Sequence, residues 1–171
     1  VRSKALLVAE FGDEPSFALL GLSTVQLPVP AEGAPTYAYA ELQLDAVLRP
    51  TEGFFGLSAV LTPNSFVLTQ ECRLTGGFAF YLWFGENEHA GHFVVTLGGY
   101  HPAFKPPAYF PTEPRLGINW PVSDRVTIKG GAYFALTPSC AMAGGALEAL
   151  YQDGDLRAWF TANADLLVSW R

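Results

Sequence analysis

Two short stretches of this chain carry side chains able to bind or react. The first is Gly85-Glu86-Asn87-Glu88-His89-Ala90-Gly91-His92. The carboxylates Glu86 and Glu88 and the imidazoles His89 and His92 are the donor types that hold a divalent metal. Their spacing follows no structural zinc pattern, and a free loop does not pre-organise its ligands. The stronger reading is a solvated loop between two apolar strands, Tyr81–Phe84 and Phe93–Leu97. The second stretch is Gly98-Gly99-Tyr100-His101-Pro102-Ala103-Phe104-Lys105. His101 could accept a proton, with Lys105 or Arg115 holding an anion. Catalysis also needs an orienting partner and a cavity. The competing reading is therefore a strand end with His101 packed on Tyr109 and Phe110. Tyr100, His101 and Lys105 remain as candidate ligand-binding residues. Trp159 joins them because it lies on the polar side of its strand, where an indole can stack on a sugar. Aromatics on strands more often serve packing.

Other chemical signatures are missing from the text. There is no nucleophile elbow, phosphate loop, dinucleotide fingerprint or His-Glu-x-x-His. No cofactor is implied. Ser139-Cys140 has no base near it in sequence. Cys72 and Cys140 lack metal-type spacing and read as buried thiols, although they would pair in an oxidising compartment. The net charge is −6. Between Ala5 and Cys72 the one basic residue is Arg49, against eight acids. Phosphate backbones need a clustered basic face, so nucleic acid is not an expected partner.

The elements that would position these residues are strands. Along Leu156, Ala158, Phe160, Ala162, Ala164, Leu166 and Val168 every second residue is apolar. A helix would mix the two sets around its circumference, and a strand separates them onto two faces. Asp153-Gly154 predicts a type I′ hairpin that sets Tyr151 opposite Leu156, with Glu148 diagonal to Arg157. Ala38–Leu48 alternates in the same way. Further strands are predicted over Ala5–Phe11, Phe17–Leu27, Phe54–Thr62, Ser65–Glu71, Gly77–Phe84, His92–Tyr100, Leu116–Trp120 and Val126–Leu136. Phe78–Phe84 is apolar on both faces and belongs in the middle of a sheet. Pro138–Leu150 is ambiguous: its Ala, Met and Leu suit a short helix, which Gly144-Gly145 opposes. Pro28–Pro35 and Pro102–Pro114 are loops or crossings, because proline cannot donate to a ladder.

The expected fold is all-β: one antiparallel meander of about nine to eleven strands, as a strongly curved sheet or β-barrel, the alternative being a two-sheet sandwich. Residues 1–171 read as one domain, cut from a larger protein. Half the residues are hydrophobic and 15% are charged, so disorder is excluded.

Three stretches are distinctive as text: Gly-Gly-Phe-Ala-Phe-Tyr-Leu-Trp-Phe-Gly (76–85), Val-Thr-Leu-Gly-Gly-Tyr-His-Pro-Ala-Phe (95–104) and Lys-Gly-Gly-Ala-Tyr-Phe-Ala-Leu-Thr-Pro-Ser (129–139). From Gly76 to Arg171 the chain resembles domain-of-unknown-function family 6603, found in large bacterial and fungal proteins. The resemblance carries no known chemistry, so it transfers no catalytic residue. It implies further β-rich sequence beyond Arg171. The unpaired edges of an incomplete sheet would then favour association with other segments of a parent protein or with another copy. The expected function is a non-enzymatic structural or binding module, with a lipid-like small molecule as a secondary expectation. Two alternatives are a transmembrane β-barrel segment, which the absence of aromatic girdles opposes, and a carbohydrate-acting enzyme using His101 or the Glu86–His92 loop.

Overall fold

The computed structural model describes residues 1–28 and 35–170. Among the described residues all regular structure is β. Twelve strands form one antiparallel sheet: β1 Arg2–Glu10, β2 Ser16–Leu27, β3 Ala38–Arg49, β4 Phe54–Leu61, β5 Phe66–Val67, β6 Thr69–Thr75, β7 Gly77–Trp83, β8 Phe93–Leu97, β9 Leu116–Ser123, β10 Val126–Leu136, β11 Cys140–Asp153 and β12 Leu156–Ser169.

The pairing closes a ring of eight strands, β3-β4-β7-β8-β10-β9-β6-β5. Its origin is local. β4 and β5 lie end to end along β3, β6 and β7 are separated by Gly76 alone, and β8 and β9 lie end to end along β10. Three positions of a nine-position meander are thus each split in two at a common seam. Backbone bonds stitch the seam, among them Leu61 N–H to Gly76 O and Gly77 N–H to Pro114 O. The sheet is curved, but its outermost strands β1 and β12 do not pair with each other. The sandwich alternative does not hold, since every strand belongs to one sheet.

The strand count exceeds the expected range for two reasons. The predicted strand Ser65–Glu71 is broken at Leu68, whose positive φ of 66° turns β5 back into β6. Pro138–Leu150 is not helical; from Cys140 onward it is β11, whose Ala and Gly residues are flanked by β10 and β12. The last hairpin also differs from its predicted register. Asp153 pairs with Leu156, leaving Gly154-Asp155 as the loop. Gly154 alone has positive φ, at 57°, which fits a loop with glycine first and not a type I′ turn. Tyr151 therefore faces Ala158, and Glu148 faces Thr161, out of reach of Arg157. The slide is by two residues, so the apolar face is unchanged. Pro102–Pro114 is a loop as expected, and most of Pro28–Pro35 lies outside the described residues.

The two faces of the sheet differ. One is covered at its centre by the loop from Gly98 to Arg115, and the core lies beneath that loop. Trp83, Val94, Thr96, Tyr133, Ala135, Cys140 and Met142 are buried there, with Tyr100 and Phe104 of the loop packed against them. The other face is apolar from edge to edge; most of its central residues are half-buried, with Ala59 buried (8% exposed), and it is most exposed toward the edges. One row of paired residues runs Leu7, Leu19, Ala46, Leu57, Phe80, Val95, Leu136, Ala141, Val168. The next runs Ala5, Gly21, Leu44, Ala59, Phe78, Leu97, Phe134, Ala143, Leu166 along the same strands. Leu7, Leu19, Leu97, Phe134, Leu166 and Val168 are exposed.

Candidate functional site

A concavity holding charged and polar side chains lies beside the covering loop. Tyr133 of β10 is directly opposite Gly144 of β11, which is directly opposite Asp165 of β12. All three share the loop-covered face. A Cβ on Gly144 would collide with both the Tyr133 ring and Asp165 Oδ1. Without one, the phenol lies across β11 and its hydroxyl donates to Asp165 Oδ1 at 2.7 Å. Arg115, at the end of the loop, sits over the Tyr133 ring, 4.2 Å from its centroid, within cation–π range. Its Nη2 also donates to Tyr100 O at 2.9 Å. Pro102, Arg115, Tyr133, Asn163 and Asp165 line a cavity of about 180 Å³, with Gly131 and Gly145 lowering its floor.

The electrostatics suit binding better than proton transfer. The Tyr133 phenol is pushed up to about 12 by burial first, then by its bond to Asp165 and that residue's charge, with Arg115 opposing. It is a neutral donor at pH 7. The Tyr100 phenol is also raised, by burial and then by Glu113 and Tyr81, and donates to Pro111 O at 2.8 Å. Burial raises Glu113, and a hydrogen bond with Ser58 partly offsets this. Arg115, Asn163 and Asp165 can together hold a small polar group, but nothing beside them acts as a nucleophile with its base.

The structure separates the residues singled out in the sequence. His101 packs edge-on against Tyr133, 6.2 Å between centroids, and not on Tyr109 and Phe110. Its Nδ1 accepts from Ala103 N–H at 3.0 Å, and its own N–H points to Met142 Sδ at 3.3 Å. The first contact shapes the loop from within, and the second anchors it to β11. Lys105 is exposed. Trp159 is 71% exposed, opposite Leu150, and is not brought to Tyr100, His101 or Lys105.

The first stretch serves as a platform for the same loop. His89 stacks on Tyr109 with centroids 3.7 Å apart. His92 Nδ1 lies 2.6 Å from the Tyr109 hydroxyl. Tyr109 and Phe110 pack on buried Trp83. Glu88 approaches His89 Nε2 at 3.6 Å from an exposed position, and Glu86 is exposed. Among the described residues, no three of His, Cys, Asp or Glu gather as metal ligands. Cys72 and Cys140 are buried free thiols.

Sequence reasoning named Arg115 but missed its partners. One signal was present: Asp165 is the lone acid of its strand, and Gly144 stands where a side chain would be expected.

Together these features define a single-sheet, all-β domain with one loop-covered face and one bare apolar face. The chain belongs to the Family of unknown function (DUF6603), whose model matches residues 1–171, the whole chain. Membership thus extends over the N-terminal half as well as the stretches from Gly76 onward. No curated protein and no solved structure matches the chain.

Proposed function

We propose that this domain is a non-enzymatic structural module, completed when another apolar sheet surface packs on its bare face. The observation that carries this reading is the pair of apolar rows that crosses every position of the meander. At about 4.8 Å per strand the rows span about 40 Å. Soluble monomers rarely expose more than a few hundred Å² of continuous apolar surface. The total area agrees. A folded monomer of 18.5 kDa exposes about 8,200 Å², whereas this chain exposes 11007 Å². The surplus of about 2,800 Å² exceeds the roughly 800 Å² that one partner contributes to a standard interface.

Replacing Leu19 and Phe134 by Glu places a carboxylate on each side of the centre of this face. Sedimentation in detergent-free buffer is expected to show concentration-dependent association of the parent chain and a smaller assembly in the double variant. Far-UV circular dichroism checks that the variant stays β. A parent chain that is monomeric and does not bind an apolar dye overturns the reading.

A narrower reading follows from one cavity. Leu61, Leu74, Leu116, Ile118 and Ala132 line an apolar recess of about 380 Å³ at the seam, a size suited to a lipid-like chain. Organic extracts of purified protein that contain no such molecule would remove its support.

A further inference from the structure

β12 is one of the two edge strands of the sheet that the described residues form. It pairs with β11 over its whole length, and among the described residues nothing pairs along its other side. Every residue of β12 is exposed. Natural sheets protect such edges with proline, bulges or inward charges. β12 has no proline and pairs with β11 without a register shift; its two charges, Arg157 and Asp165, share the loop-covered face, where Tyr133 already holds Asp165.

Its residues are self-complementary about Thr161. An antiparallel match of β12 with itself, centred there, sets Arg157 opposite Asp165 on both sides of the centre. It also sets Leu156 opposite Leu166, Ala158 opposite Ala164, Trp159 opposite Asn163 and Phe160 opposite Ala162. Opposite charges meet, apolar residues meet, and threonine meets threonine, all favourable cross-strand pairs. The match also keeps the faces in step. Odd-numbered residues meet odd-numbered ones, so loop-covered faces share one side and bare faces the other. Tyr133 occupies Oδ1 of Asp165, leaving Oδ2 for an incoming guanidinium. An isologous two-fold contact requires this kind of self-complementarity. The other edge fits less well: Arg2 and Glu10 are symmetric about Leu6, but Lys4 would face Val8.

We propose that β12 is an interface for a second copy of this chain, joined antiparallel about a two-fold axis at Thr161 into one continuous sheet. The contact uses the strand edge and none of the bare face, so its failure leaves the preceding proposal standing. The test is made in the Leu19→Glu, Phe134→Glu background, where face packing is removed. That protein is expected to be dimeric by native mass spectrometry and sedimentation. Thr161→Lys and Thr161→Glu each place like charges across the axis and are expected to weaken the dimer by about tenfold or more. Mixing the two variants is expected to restore it as a heterodimer, because Lys then faces Glu. Circular dichroism confirms that each variant folds. A monomeric background protein, a Lys variant that dimerises unchanged, or a mixture that stays monomeric would each overturn the proposal. Rescue on mixing also excludes pairing of β12 with β1, where residue 161 would not meet itself.

Discussion

The Tyr133 hydroxyl reaches across an intervening strand to donate to the Asp165 carboxylate at 2.7 Å. The bond ties β12 to β10 over the bare backbone of Gly144, and Arg115 closes the other side of the ring. It is a side-chain tether between the exposed strand β12 and the core, beside the ladder by which β11, with buried Cys140 and Met142, joins β10.

Two substitutions test that tether. Tyr133→Phe removes the hydrogen bond and is expected to cost about 1 kcal/mol, read as a lower urea midpoint. Gly144→Ala drives a methyl group into the Tyr133 ring and is expected to cost about 1–3 kcal/mol. Hydrogen exchange should speed up along β12 in both variants while β7 and β8 stay protected. Unchanged β12 exchange in both would show that the ladder with β11 holds the strand unaided.

A second network pins the seam. Glu41 of β3 accepts from Thr62 Oγ1 at 2.7 Å, Asn64 Nδ2 at 2.9 Å and the Tyr39 hydroxyl at 3.0 Å. These donors, Thr62 first, hold its pKa below the usual glutamate value. The unfolded chain then binds the proton more readily than the folded one, so stability rises with pH through this window. The contribution is complete above the ordinary glutamate range and is lost as pH falls through the lowered folded value. Glu41→Gln should remove this part of the acid slope, measured as urea midpoints between about pH 3 and 6. Parallel pH profiles for parent and variant would contradict the assignment.

Met142 is expected to be the most costly single position beneath the loop. It is 1% exposed, touches His101 N–H through its sulfur, and belongs to the cluster that receives Tyr100 and Phe104. Met142→Ala should cost about 2–5 kcal/mol, and proteolysis of the native state should then appear within Gly98–Arg115. A variant as resistant as the parent would place the anchor of the loop elsewhere, at Trp83 and Tyr109.

Much of this architecture was legible because the β period is short-range. Alternation over Leu156–Val168 and Ala38–Leu48 separates two faces without knowledge of any neighbour, and both segments are strands. The double-sided apolar character of Phe78–Phe84 identified a central strand, and β7 is paired on both sides. The break at Leu68 was hidden because no glycine or proline marks it. The ambiguity over Pro138–Leu150 had a different cause. Alanine, methionine and leucine favour helices in isolation, and the flanking strands β10 and β12 overrode that preference.

The functional residues were less legible. His89 and His92 look like ligands in the text, yet their partner is Tyr109, seventeen residues beyond His92, and one-dimensional spacing does not encode that stacking. Tyr133 and Asp165 meet only because β10, β11 and β12 set them in one row, and the end of the loop brings Arg115 over the Tyr133 ring.

By itself the sequence determined which residues alternate, and hence the all-β class and the apolar face. Local backbone preference and side-chain period suffice for those. Only the tertiary structure decided the seam, the two-residue slide of the last hairpin, and which face the Gly98–Arg115 loop covers. Those depend on contacts between residues far apart in the chain, where burial under one loop outweighs local preference.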